Sequence, residues 1–206
     1  MNNHSGQNLM YASLPNIIIG FHGCDYSTYK DVLYNHNILK PSTNSYDWLG
    51  NGMYFWEQNL ERAWEWANNN KSISQPAVIG VVIDLGYCLN LLDSKYTLML
   101  KDEYDMFEIE SLIFDKAMPI NKNVKGNTDL LLRHLDCAVI EHLHKSREQS
   151  NETSFDSVRG VFFEGDPIYE TSGFREQSHI QICVRNPNCI KGFFAPMEID
   201  NKWRMP

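Results

Sequence analysis

The chain has 206 residues, 43% hydrophobic and 21% charged, an ordinary globular composition that suffices for one buried core and is short for two. Its formal charge of −8, from 18 basic and 26 acidic side chains, excludes a broad cationic surface for gripping a phosphate backbone; a local pocket engaging a few nucleotides stays compatible with it. Five cysteines, at 24, 88, 137, 183 and 189, are odd in number and include no CxxC pair, so reduced thiols are expected, without a disulfide framework or zinc site.

The opening MNNHSGQNLMYASLPN has neither a basic segment nor a continuous apolar one, and no apolar run approaches the ~20 residues of a membrane helix. A cytoplasmic protein without membrane association is the expectation. Residues 17–23, IIIGFHG, are a β-branched run ending in a His-Gly pair, the pattern of a buried strand feeding a tight turn. Residues 28–35 carry Tyr29, Val32 and Leu33 at helical spacing behind a Ser/Thr start, and Pro41 closes the unit. Residues 42–53, STNSYDWLGNGM, mix turn formers with two glycines and read as a structured loop entering a strand at 53–55.

From 59 to 69 a helix is expected, with Leu60, Ala63, Trp64 and Ala67 along one side, and residues 77–85, AVIGVVIDL, read as another buried strand. The stretch 90–150 is mainly helical, with an apolar stripe through Leu131, Leu135, Ala138, Val139 and His142. A polar loop at 146–156 precedes strands at 158–163, 179–185 and near 190–194. His134, Cys137, His142 and His144 invite a metal reading, but residues two apart on a helix point in different directions, and no metal is expected.

Three pieces carry chemistry: Gly20-Phe21-His22-Gly23 at a strand end, Gly50-Asn51-Gly52-Met53-Tyr54-Phe55 some thirty residues on, and a helix bearing Ala63 and Trp66. In order and spacing they resemble the donor half of the H-Y-E ADP-ribosyltransferases, which include PARPs and diphtheria toxin. The resemblance covers roughly residues 17–67. It implies a single α+β domain over 1–206, with two small, mostly antiparallel sheets, NAD⁺ in the cleft between them, and a helical insertion at about 90–150. Absence of GxGxxG after the first strand argues separately against a Rossmann dehydrogenase.

By the same resemblance Gly23 would hold the nicotinamide carboxamide through its main chain, with Cys24 adjoining, His22 would bond a ribose hydroxyl, and Tyr54 would stack on nicotinamide. These assignments suit the side chains: glycine lets a planar amide approach, and imidazole can donate to or accept from a hydroxyl. The family's second aromatic falls on Glu65, flanked by Trp64 and Trp66; the phrase A-x-x-W-A favours Trp66, with Trp64 then facing the core.

The family's third element is a glutamate on a late strand. Matching that strand to HIQICVRN places Gln181 there. Either Glu176 swings into the site, or Gln181 positions an acceptor that needs little deprotonation; Glu164 and Glu170 stand next in line. Strand alternation groups Gln181 with His179, Cys183 and Arg185.

The activity implied is transfer of ADP-ribose from NAD⁺ to a macromolecule, nucleic acid or protein, without metal. The type of member implied is a bacterial toxin with a neutralising antitoxin, as in toxin–antitoxin or phage-defence modules. The alternatives on the same fold are an NAD⁺ glycohydrolase, an RNA 2′-phosphotransferase, or a non-catalytic NAD⁺ or ADP-ribose binding module.

Overall fold

The β-branched runs near the start of the chain form the centre of the molecule: β1 (Ile17–Asp25) pairs antiparallel with β3 (Pro76–Asp84) along its full length. The computed structural model describes residues 17–124, 129–198 and 202, so the opening segment read above for a leader lies outside the described residues. Between these strands come α1 (Tyr26–Leu33), β2 (Met53–Glu57) and α2 (Leu60–Asn69). The expected Ser/Thr start of the first helix is displaced: Asp25 caps α1, its carboxylate accepting from the Ser27 N–H. Asn59 caps α2 in the same way, accepting from the Arg62 N–H.

After β3 follow β4 (Cys88–Asn90), the long helices α3 (Ser94–Ile113) and α4 (His134–Gln149), and then β5 (Ser157–Phe162), β6 (His179–Val184) and β7 (Ile190–Phe194). The strands form one seven-stranded sheet in the order β4-β5-β6-β2-β1-β3-β7, with β4 and β5 parallel and the other pairs antiparallel. The α+β class is as expected, but two separate sheets are not seen. The groups β4-β5-β6-β2 and β1-β3-β7 are joined through Gly20↔Glu57 and Phe21↔Trp56. β4 was not anticipated, because three residues are too few to show a period.

One face of the sheet buries Ile18, Phe55, Ile79, Val81 and Ile182 with Val32 of α1. On the other face α2 packs Ala63 against Trp56 and Val78, while α4 packs Ile140 and Leu143 against Leu89, Val158 and Cys183. The two helices therefore flank a strip of sheet over β2 and β6. The stripe of α4 is also corrected. Its buried residues are Cys137, Val139, Ile140, Leu143 and His144, and the helix runs on to Gln149, into the expected loop.

Candidate functional site

The site begins where the β1–β2 ladder ends. Gln58 N–H donates to the Ile19 carbonyl, and the register continues only to Phe21↔Trp56. In an antiparallel pair, alternate residues turn their main-chain groups to the same side. Gly23 therefore directs its N–H and C=O towards β2, as Ile19 does, at a point where a continued register would set it opposite Tyr54. The ladder has stopped there, and the Tyr54 carbonyl instead lies 2.8 Å from Nδ1 of His22.

That contact fixes the chemistry of His22. Burial lowers its pKa, partly offset by the bond to Tyr54, so the ring is neutral near pH 7. With the Nδ1–H donating to the carbonyl, Nε2 is an acceptor, the atom to which a sugar hydroxyl would donate. Beside it lies a cleft of about 670 Å³ lined by His22, Gly23, Cys24 and Trp66, with residues of α1 and of the segments 37–40 and 70–73. Asp25 fixes two of these walls. Besides capping α1 through the Ser27 N–H it accepts from Ser74 N–H and Gln75 N–H at 2.9 and 3.1 Å, and these hydrogen bonds, that of Ser27 foremost, hold its carboxyl well below the usual range.

Gly23 is a glycine for a reason the sequence does not reveal. A Cβ there would lie 2.4 Å from the Ala63 carbonyl oxygen and 3.2 Å from the Trp66 ring, so α2 seals one side while the main chain opens to the other. Trp66 is 40% exposed at the cleft, its ring 5.7 Å from that of Trp56. Trp64 does not face the core as expected. Ala63 and Ala67 take the inward positions of α2 and Trp64 points to solvent. Cys24 is buried, which pushes its thiol up to about 11 and keeps it protonated and unreactive.

Tyr54 is half-buried and is not among the residues lining the cleft. Its hydroxyl donates to the Gly50 carbonyl at 2.6 Å and accepts from the Leu49 N–H at 2.9 Å, tying down the loop that enters β2. Glu141 and Arg185 clamp the same loop from outside: Glu141 accepts from the Asn51 N–H at 2.8 Å, and Arg185, paired with Glu141, donates to the Asn51 carbonyl at 3.0 Å. Gly50 sits at φ +77°, and a Cβ there would collide with Glu141. No local spacing signals either residue of this clamp.

On the late strand, Gln181 lies directly opposite Trp56 of β2 and Gly160 of β5, so the three share the face between α2 and α4. Its side chain is half-buried and makes no hydrogen bond among the described residues. The polar face grouped from alternation is thus an enclosed wall: His179 and Cys183 are buried. Glu176 is exposed beside Gly165, and the structure does not bring it to that face.

Glu164 is buried, with Arg62 of α2 at 2.9 Å, and Arg62 also holds Glu65 at 2.8 Å. Burial raises the Glu164 carboxyl above its ordinary range, and Arg62 opposes the shift. Gln177 bonds Glu65, so the segment before β6 is tied to α2 at two points. Sequence reading ranked Glu164 behind Glu176 and passed over Arg62. The available signal was helical spacing, which sets Arg62 one turn before Trp66.

The helical histidines have other partners. His142 lies between Glu103 at 2.6 Å and Glu110 at 2.8 Å, His144 bonds the Ile140 carbonyl at 2.8 Å, and His134 meets Ser45 at 3.2 Å. Among the described residues no group of three or more His, Cys, Asp or Glu side chains could hold a metal ion.

No protein-family model matches the chain. It is similar to an uncharacterised protein of Methanocaldococcus jannaschii, 27% identical over 195 aligned residues that cover 83% of each chain.

Proposed function

We propose that this chain moves ADP-ribose from NAD⁺ onto a macromolecule. The observation that carries the reading is the parting of β1 and β2 after Phe21 and Trp56, with His22 holding the Tyr54 carbonyl and the Gly23 main chain turned into the gap. A planar carboxamide presents an NH₂ donor group beside a carbonyl acceptor, the complement of one residue's C=O and N–H. Trp66, against Gly23 at the cleft, offers a ring face for the pyridinium, and His22 Nε2 offers an acceptor for a ribose hydroxyl. The cleft beyond accommodates the rest of a dinucleotide.

Loss of nicotinamide leaves an oxocarbenium-like ribose, whose charge is steadied by groups already oriented in the site. Gln181 supplies a dipole there in place of a carboxylate. Resemblance to toxin-type members extends the proposal to a growth-inhibiting protein with a neutralising partner. Among the described residues no helix is long and apolar enough to cross a membrane.

The test is incubation of the purified protein and cell lysate with NAD⁺ labelled in its adenylate, followed by separate protease and nuclease digestion. Label is expected in a polymer that one of the two digestions releases. Free ADP-ribose with no label in polymer would mean hydrolysis, and unconsumed NAD⁺ would sink the reading altogether.

A further inference from the structure

Apolar side chains lie on both sides of α3. Inward it turns Tyr96, Met99, Leu100 and Phe107: the first three pack into the cluster of Leu143 and Phe155, and the Phe107 ring lies 4.8 Å from that of His142. Outward it presents Leu98, Met106, Ile109, Leu112 and Ile113, between 57% and 76% exposed, which the helical pitch brings into one stripe. A helix apolar all round is ordinarily enclosed on every side, because each aliphatic group left in water forfeits the free energy of burial. Among the described residues nothing encloses this one.

A groove of about 510 Å³ runs beside the stripe, between α3 and α4. Leu98 and Met106 belong to both, and Met99 and Leu143 complete an apolar floor. Methionine side chains, unbranched and polarisable, adapt to the shape of what they meet. None of these residues lines the cleft at Gly23.

Charge decides what can lie there. The helix carries five acidic side chains and two basic ones. Glu103 and Glu110 are held by His142, at 2.6 and 2.8 Å, and so brace α3 against α4. The other three acids, Asp102, Asp105 and Glu108, stand within or beside the stripe, with Lys101 paired to Asp105 and Lys95 over the Tyr96 ring at the helix start. Two copies of this face would set these acids against one another, and a nucleic acid or an anionic lipid surface would meet them as like charge. The chain's formal charge of −8 acts in the same sense.

We propose that this surface receives a basic amphipathic helix of a second, different protein. Its apolar side chains, at three- and four-residue spacing, seat on the stripe and groove, and lysines or arginines beside them face Asp102, Asp105 and Glu108. In recognition of this kind the aliphatic anchors supply the binding energy, while the charges around them choose the partner and speed encounter. The surface goes beyond the ADP-ribose reading and is independent of any reaction in the cleft.

The probe is a synthetic, dye-labelled peptide of leucine and lysine in the seven-residue repeat of an amphipathic helix, titrated with the full chain and followed by fluorescence anisotropy. Two further peptides accompany it, one with glutamate in place of lysine and one with the leucines and lysines in scrambled order. The leucine-lysine repeat is expected to bind about tenfold or more tightly than either, and more weakly as salt is raised. Ile109→Asp and Leu112→Asp each place a charge where the side chain is already in water, so both are expected to fold as wild type and to weaken binding by about tenfold or more. Either variant alone suffices to locate the surface. Ile168→Asp, at a comparably exposed isoleucine between β5 and β6, is expected to change nothing.

No binding, equal binding of the acidic or the scrambled peptide, or an equal loss in Ile168→Asp overturns the proposal. A wild type that sediments as a dimer, with Ile109→Asp a monomer, overturns it too, since the stripe is then covered by a second copy of this chain. So does capture of the wild type by phosphatidylserine vesicles that Ile109→Asp abolishes.

Discussion

His22 Nδ1 and the Tyr54 carbonyl oxygen, 2.8 Å apart, hold open the point where two halves of the sheet part. The β1–β2 register, continued by two residues, would hand that carbonyl to the Gly23 N–H and close the gap. The imidazole therefore competes with a backbone hydrogen bond. His22→Ala is expected to let the ladder close, weakening NAD⁺ binding by about tenfold or more while costing only ~0.5–1.5 kcal/mol of stability, the worth of one hydrogen bond. Calorimetry gives the affinity, and hydrogen exchange at the Gly23 amide reads the closure directly, as slower exchange in the variant. Unchanged exchange at Gly23 together with unchanged affinity would show that the opening does not depend on the histidine.

Tyr54 and Trp66 are expected to separate by what they hold. Tyr54→Phe keeps the ring but strands the Leu49 N–H and weakens the support of the Gly50 carbonyl, at about 1–3 kcal/mol of stability. Trp66→Ala removes a 40% exposed ring from the cleft edge, so stability should change little while NAD⁺ affinity falls by about 1–3 kcal/mol, the range for aromatic stacking on a base. Urea denaturation and calorimetry on both variants decide the matter. The reverse pattern, with Trp66→Ala unstable and Tyr54→Phe deficient in binding, would exchange their roles.

How far the sequence carried the fold follows from the range of the forces involved. The runs IIIGFHG and AVIGVVIDL announced β1 and β3 because β-branched side chains form an unbroken local pattern, although the start of β1 is buried on one face only, with Ile17 and Ile19 turned to solvent. The Gly-x-Gly ahead of Tyr54 announced a tight loop but not its clamp, since Glu141 comes from the distant α4 and Arg185 directly follows β6. Likewise the Arg62–Glu164 pair joins residues 102 apart, and His142 meets two glutamates of α3 that helical periodicity treats as solvent-facing. The His-Gly pair was legible as a candidate site, but the tight turn expected at it is not there: β1 runs on through both residues to Asp25, paired with β3. That Gly23 is a glycine because α2 crosses it belongs to packing, which no spacing records.

The buried histidines set a pH dependence with a definite sign. Burial, foremost, holds His144 down to about 4 against an ordinary 6.5, and its ring bonds the Ile140 carbonyl within α4. An unfolded chain takes up this proton below about 6.5 and the folded one resists until about 4. The contribution of His144 is thus complete above pH 6.5 and is lost as pH falls from 6.5 through 4, a difference on the order of 3 kcal/mol. Glu164, whose carboxyl burial raises, works in the opposite sense at the acid end. The expected result is that unfolding free energies of His144→Gln, measured by urea at several pH values, decline less steeply than wild type over this window. Parallel profiles for the two proteins would mean that the histidine titrates alike in both states.

Gln181 and Glu176 were both candidates for the polar group acting on the departing charge, and the structure distinguishes them by position. Gln181 is half-buried opposite Trp56 on the face between α2 and α4, whereas Glu176 is an exposed residue beside Gly165. A group that acts on charge present only in the transition state lowers the rate when removed and leaves ground-state binding alone. Gln181→Ala is therefore expected to reduce NAD⁺ turnover about 10²–10³-fold, as for the loss of one preorganised dipole, with calorimetric affinity intact. Glu176→Ala is expected to keep wild-type turnover, since an exposed carboxylate in water exerts little force on a charge enclosed elsewhere. The measurement is the initial rate of nicotinamide release at saturating NAD⁺, taken on variants whose folding is checked by thermal melting. A larger loss in Glu176→Ala than in Gln181→Ala would mean that the segment before β6 folds inward when the donor binds, and that the catalytic carboxylate comes from the loop and not the strand.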